Sequence, residues 1–200
     1  MDDISIVVIG FIGIDGTKIL LEKKKENLLS RFSLNFLQEK IYNLDKIEKV
    51  TKNFDFINFK KNKFLFKDVN DKQTIYEIKK GGFLSSLWMA AESVKSGLEY
   101  ELFKVPILQI TIEVAEFFNI NPYRLYSNNS YIVFTNDKKE LFENFYNEYG
   151  EYLNLFPIIE IGKLKKTKSR RRIDSDAMAF LTKDYKDEID KVIEKYTKVK

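Results

Sequence analysis

The stretch Lys79-Lys80-Gly81-Gly82 stands immediately before a strongly helical run, FLSSLWMAAESV. Glycines at a helix entry leave backbone N–H groups without intrahelical partners, and the helix dipole favours negative charge there. With two lysines beside them, the chemistry these residues suit is recognition of a small anion such as a phosphate. The same four residues also suit a tight strand-to-helix turn that needs glycine backbone freedom, with its lysines in solvent. Glu77 is the single potential base nearby, and phosphoryl transfer needs metal-held phosphates and a positioned nucleophile. No catalytic residue and no metal ligand is therefore assigned.

Two other groups have spacing that suits binding. Gly13, Asp15, Gly16 and Thr17 form a turn after an apolar run, where backbone can approach a ligand and Asp15 can take a cation; a plain strand-to-helix turn explains them equally. Lys163, Lys165, Lys166, Lys168, Arg170, Arg171 and Arg172 place seven basic residues within ten. Such a strip can contact the phosphates of a nucleic acid or an acidic partner. A solvated hairpin whose lysines discourage edge pairing accounts for it as well. No aromatic is interleaved, which argues against single-strand stacking. Phe54, Phe56, Phe59, Phe64 and Phe66 alternate in two arms, as sheet packing or as an exposed docking face.

Composition narrows the choice. The 200-residue chain has no His and no Cys, which removes thiol chemistry, disulfides, zinc sites and histidine acid–base catalysis. A net charge of +4, from 34 basic and 30 acidic residues, makes most charge a solvated surface, so only local clusters inform. No apolar run approaches the roughly 20 residues of a membrane span. Ile4–Ile14 follows two aspartates and lacks a signal-peptide pattern, so a cytoplasmic location is expected.

The elements that must position these groups follow from pattern. SIVVIGF reads as a buried strand, and KILLEKKKENLLSRF after it as a helix. Ser33 caps a second helix whose Leu34, Leu37, Ile41, Leu44 and Ile47 share one face. Residues 51–78 read as a hairpin plus a third strand, TIYEI. A helix over 82–96, with Leu84, Leu87, Trp88, Ala91 and Val94 inward, is expected to end on Gly97 as its C′ residue. LEYELF alternates as a strand, and QITIEVAEFFNI is helical up to Asn121-Pro122. SYIVFT is a buried strand, Asn136-Asp137 caps the next helix, and Phe156–Ile161 is a further strand. Gly162–Arg172 reads as a basic hairpin turning at Thr167-Lys168-Ser169, and the tail from Lys183 as a charged helix. The expected class is α+β in a single domain over 1–200, with helices packed on the faces of a mixed sheet.

Residues 7–33, VVIGFIGIDGTKILLEKKKENLLSRFS, carry a resemblance. So do Gly81-Gly82 with FLSSLWMAAESVKSGLEYELFKVPI, the segment EVAEFFNINPYRLYSNNSYIVFT, and the end from Ile159 through LTKDYKDEI. In order and spacing they resemble the C-terminal domain of the aminoimidazole ribonucleotide synthetase-related (PurM-like) superfamily, and most of all its hydrogenase-maturation branch. The resemblance implies an α+β domain with a mixed sheet. It also implies a preceding domain that supplies most ATP and magnesium ligands, and this chain is expected to lack that domain. Residues 51–78 look like an added hairpin. Where relatives carry His-Asp-(aliphatic)-Thr-x-Gly-Gly, this chain has Tyr76-Glu77-Ile78-Lys79-Lys80-Gly81-Gly82, with Lys79 at the threonine position. The reactive terminal cysteine of the hydrogenase maturation enzyme has no counterpart. The expected function is non-catalytic binding of a protein partner, a second copy or a small anion, without a cofactor. The alternatives are a split ATP-dependent enzyme whose other chain supplies the ATP-binding domain, and nucleic-acid binding through 163–172.

Overall fold

A computed structural model describes residues 4–54, 74–174, 179–184 and 186–197. Seven strands form one sheet: β1 (Ser5–Ile9), β2 (Ile75–Glu77), β3 (Gly97–Tyr100), β4 (Tyr131–Thr135), β5 (Ile158–Lys165), β6 (Arg170–Arg172) and β7 (Ala179–Phe180). Their order is β2-β4-β1-β5-β3-β6-β7. All neighbours are antiparallel except β3 and β6, which run parallel, so the sheet is mixed and the fold is α+β. The described helices are α1 (Ile14–Lys23), α2 (Lys25–Leu28), α3 (Leu34–Thr51), α4 (Gly82–Ser93), α5 (Gln109–Phe118), α6 (Lys138–Tyr149) and α7 (Glu188–Thr197).

The period of two in each strand sorts side chains between two layers. Ile6 and Val8 of β1, Ile132 and Phe134 of β4, and Leu98 and Tyr100 of β3 face the side covered by Phe83, Leu87, Ala90 and Ala91 of α4. Val7, Ile9, Tyr131 and Val133 face the other side, under Leu141, Phe145 and Tyr149 of α6. Both faces of β1 are covered, which is why its residues from Ile6 to Ile9 are all apolar. A third cluster joins α1, α3, α5 and α7 through Leu20, Leu37, Leu44, Val114 and Val192. Ser33 caps α3 by accepting from the Phe36 N–H, and Asp137 caps α6 by accepting from the Glu140 N–H at 2.9 Å. Phe54 packs against Tyr131, Phe145, Tyr149 and Phe156. The expected hairpin and its Phe56, Phe59, Phe64 and Phe66 lie outside the described residues, while its third strand is β2.

Four expectations are corrected. Helix α1 starts at Ile14, so Asp15, Gly16 and Thr17 are its first turn and not a loop before it; the Thr17 N–H bonds the Gly13 carbonyl at 2.9 Å. Gly97 is not the C′ residue of α4: Lys95 takes the left-handed conformation (φ 54°), and Gly97 opens β3. The tail turns helical at Glu188, not Lys183. Residues 162–172 are not a hairpin. Strand β3 lies between β5 and β6 and bonds to both, so the connection through Thr167-Lys168-Ser169 passes over the start of β3. That crossing explains Gly97, because a Cβ there would run into the backbone oxygens of Thr167 and Ser169.

Gly97→Ala is therefore expected to cost about 1–3 kcal/mol in urea unfolding. Gly150→Ala, where a Cβ meets nothing within 4 Å, serves as the control and should stay within about 0.5 kcal/mol. Equal stability of the two variants would show that the crossing is loose.

Candidate functional site

The N-terminus of α4 is where the best sequence candidate lies. Strand β2 delivers the chain to Gly81 (φ 87°) and Gly82 (φ 68°), two consecutive left-handed residues that only glycine adopts without strain. Gly82 also packs against backbone: a Cβ there would sit 2.6 Å from the Arg124 carbonyl carbon and 2.7 Å from the Leu125 oxygen. The turn brings the first N–H groups of α4 inward, under Arg124 and the segment that leads into α7.

That position already holds an anion. The Asp187 carboxylate, 1% exposed, accepts the Gly81 N–H on Oδ2 at 2.8 Å and the Ile189 N–H on Oδ1 at 3.0 Å. One carboxylate thus serves the entries of both α4 and α7. The neighbouring donors are also engaged, all but Lys79 by the same C-terminal segment. Arg124, 8% exposed, donates to the Asp184 carbonyl at 2.7 Å and to the Thr182 hydroxyl at 3.1 Å. The Ser85 hydroxyl donates to the Asp184 carbonyl at 2.5 Å. Lys80 pairs with Asp190 at 3.0 Å and Lys79 with Glu77 at 3.1 Å. Asp190 is also the main reason the Lys80 ammonium is held above its ordinary value. At Lys79, Lys80, Gly81 and Gly82 the geometry of an anion cradle is thus present, with its Gly81 N–H taken by the chain's own Asp187.

The turn at Gly13, Asp15, Gly16 and Thr17 is likewise closed by the chain's own loop. Gly13 donates its N–H to the Ser127 hydroxyl at 2.5 Å, Gly16 donates to the Tyr126 carbonyl at 2.9 Å, and Thr17 donates to the Gly13 carbonyl at 2.7 Å. The Asp15 carboxylate accepts the Asn128 N–H at 2.6 Å, and burial raises its pKa despite that bond.

The basic strip spreads along the sheet and finds acidic partners there. Lys165, at 2.9 Å, and Arg171 share Glu99, whose pKa their hydrogen bonds lower. Arg170, 8% exposed, lies over the Trp88 ring at 4.0 Å and pairs with Glu92 at 2.6 Å. Arg172 pairs with Asp174 at 2.6 Å. Lys163, Lys166, Lys168 and Arg171 are the exposed members. β3 thus separates the two arms of the strip and supplies Glu99 between them. Among the described residues no group of three His, Cys, Asp or Glu side chains could hold a metal ion, and no helix is long and apolar enough to cross a membrane.

Sequence reasoning missed Asp187, Arg124 and Ser85. The acidic spacing of Lys-Asp-Tyr-Lys-Asp-Glu at 183–188 is the one signal that pointed to a carboxylate-bearing helix entry.

No family model matches the sequence, and no curated protein is similar to it by sequence. Solved structures are. Escherichia coli HypE, a hydrogenase maturation protein, superposes with a TM-score of 0.61 over 94% of this chain at 12% identity. The chain has the fold of the C-terminal half of HypE. The HypE of a HypE–HypF complex matches with a TM-score of 0.59 over 91% of the chain at 13% identity. Thiamine-monophosphate kinase from Stenotrophomonas maltophilia K279a matches with 0.52 over 88% at 14%. The chain spans about half the length of these proteins, 52% of E. coli HypE, 53% of the HypE in the complex and 52% of the kinase. This is the PurM-like fold that the sequence resemblance implied, and at such identities the likeness to HypE is one of fold alone.

Two outcomes are expected. Phosphate titration should leave the amide signals of Gly81, Gly82 and Phe83 in place, and Asp187→Ala should lower stability by about 2–4 kcal/mol, since it removes two caps and strands a buried N–H. Saturable movement of those amides in the unaltered chain would mean that Asp187 does not fill the site. The second concerns Asp174. Burial by itself raises its carboxyl, but the Arg172 guanidinium and the N–H groups of Phe103 and Leu102 outweigh burial and bring it down to about 2. Its folded value lies below the ordinary 3.8, so its contribution is complete above pH ~4 and is lost as pH falls towards ~2. Asp174→Asn should flatten the acid limb of the stability profile, and an unchanged limb would remove Asp174 as a cause.

Proposed function

We propose that this chain works by binding a protein partner and carries out no catalysis of its own. The observation that carries this reading is the closure of the α4 N-terminus by Asp187 at 2.8 Å from the Gly81 N–H. The Gly81 N–H that would meet a phosphate is occupied, and with neither His nor Cys the chain lacks the commonest acid–base group and the thiol nucleophile. Exposed apolar side chains remain available for contact, including Phe103 at 68%, Tyr42 at 59% and Tyr146 at 45% exposure. Support also comes from HypE, which shares this fold and has been solved in complex with HypF.

A second reading rests on coverage. The chain matches 52% of HypE, and a separate chain carrying the other half would make this one a subunit of an ATP-dependent enzyme. Tagged chain is purified from its native cells, and any co-purifying protein is then expressed, purified and recombined with it. A stoichiometric complex on gel filtration without ATP turnover is the expected result. ATP turnover by the recombined pair, absent from either component, would establish the second reading. Turnover by this chain alone would sink both.

A further inference from the structure

The sheet is covered unevenly. On the face that α6 covers, the layer ends over β1 and the first part of β5. Beyond it, β5, β3 and β6 present Lys163, Glu99 and Arg171 side by side, since Lys163 pairs in register with Glu99 and Glu99 with Arg171. A sheet face normally buries itself under a second layer, and among the described residues none covers this half, where Lys163 and Arg171 are exposed. Two depressions adjoin on it. An apolar groove of about 480 Å³ runs between α6 and β5, floored by Phe142, Tyr146 and Ile158. A charged cavity of about 310 Å³ continues from it across β5 and β3 to Ile173, which is 50% exposed. Glu160 lines both.

The charges along this path do not balance. Lys138 pairs with Glu160 at 2.5 Å, Lys139 with Glu143 at 3.7 Å and Lys104 with Glu101 at 2.6 Å. Glu99 is shared by Lys165 and Arg171, so one positive charge is left over. Lys163 has no carboxylate within ion-pair distance among the described residues and supplies a second. The path is therefore apolar at one end and positive at the other. A second copy of this chain would bring the same excess of positive charge and be repelled.

We infer that this half-open face docks an acidic amphipathic helix of a partner protein, laid beside α6. Its apolar side would fill the groove over Phe142 and Tyr146, and its carboxylates would meet Lys163 and the cations that share Glu99. A helix there completes the second layer of the sheet. The inference rests on the partner-binding reading above and names the face and the chemistry of the partner.

The test uses the full chain and two fluorescent amphipathic peptides of about 16 residues, long enough for helix formation, one with Glu and one with Lys on the polar side. Fluorescence anisotropy should show the acidic peptide binding roughly tenfold more tightly or better, which is about 1.4 kcal/mol. High salt should weaken it. Lys163→Glu and Tyr146→Ser should each reduce binding about fivefold or more, with circular-dichroism melting curves unchanged. No binding of the acidic peptide, equal binding of both peptides, or indifference to both substitutions would overturn the inference. So would a sedimenting dimer that both substitutions dissociate. A recombined partner complex that survives both substitutions would show that the partner-binding reading holds on another face.

Discussion

A single carboxylate organises the centre of this molecule. Asp187 is buried where α4 and α7 begin, and its two oxygens accept one N–H from each helix entry. Buried helix ends carry orphan donors whose loss of water must be compensated. Here one side chain compensates two of them at once. Around it the C-terminal segment supplies the other acceptors that Arg124, Ser85 and Lys80 require. The two left-handed glycines exist to bring the α4 entry under Arg124 and against this segment. The result is an internal joint between the first helix after β2 and the last described helix.

The same economy governs the basic strip. Ion pairs at a surface are weak individually, but the strip's arginines and Lys165 are held in register by β3, with Glu92, Glu99 and Asp174 as partners. Arg170 gains further from the Trp88 ring beneath it. What looks in sequence like one long positive segment is a pair of strands straddling an acidic one. The charge that stays unbalanced is local, at Lys163 and around Glu99, on the half of the sheet that α6 leaves open.

The fold gives these features a common setting. HypE and thiamine-monophosphate kinase are about twice as long as the matched region, so the shared architecture is one half of larger proteins. In this chain the half has its glycine turns closed and one sheet face partly bare.

Local physics was readable from the amino-acid sequence. Ser33 and Asp137 cap their helices because a side-chain oxygen reaches an N–H three residues on, an interaction sealed within one turn. Strands β1 and β4 were evident because burial on both faces leaves their central residues, Ile6–Ile9 and Ile132–Phe134, without a polar position. The absence of His and Cys removed whole classes of chemistry without any coordinates. Tertiary structure decided the rest. Asp187 meets Gly81 across 106 residues of chain, and nothing within a helical turn of either announces the pairing. Strand β3 enters between β5 and β6, which turns an apparent hairpin into two arms and moves Gly97 from a helix end to a crossing point. Capping and periodicity act over three or four residues, whereas the partner of a buried charge is whichever opposite group the packed chain brings within hydrogen-bond distance.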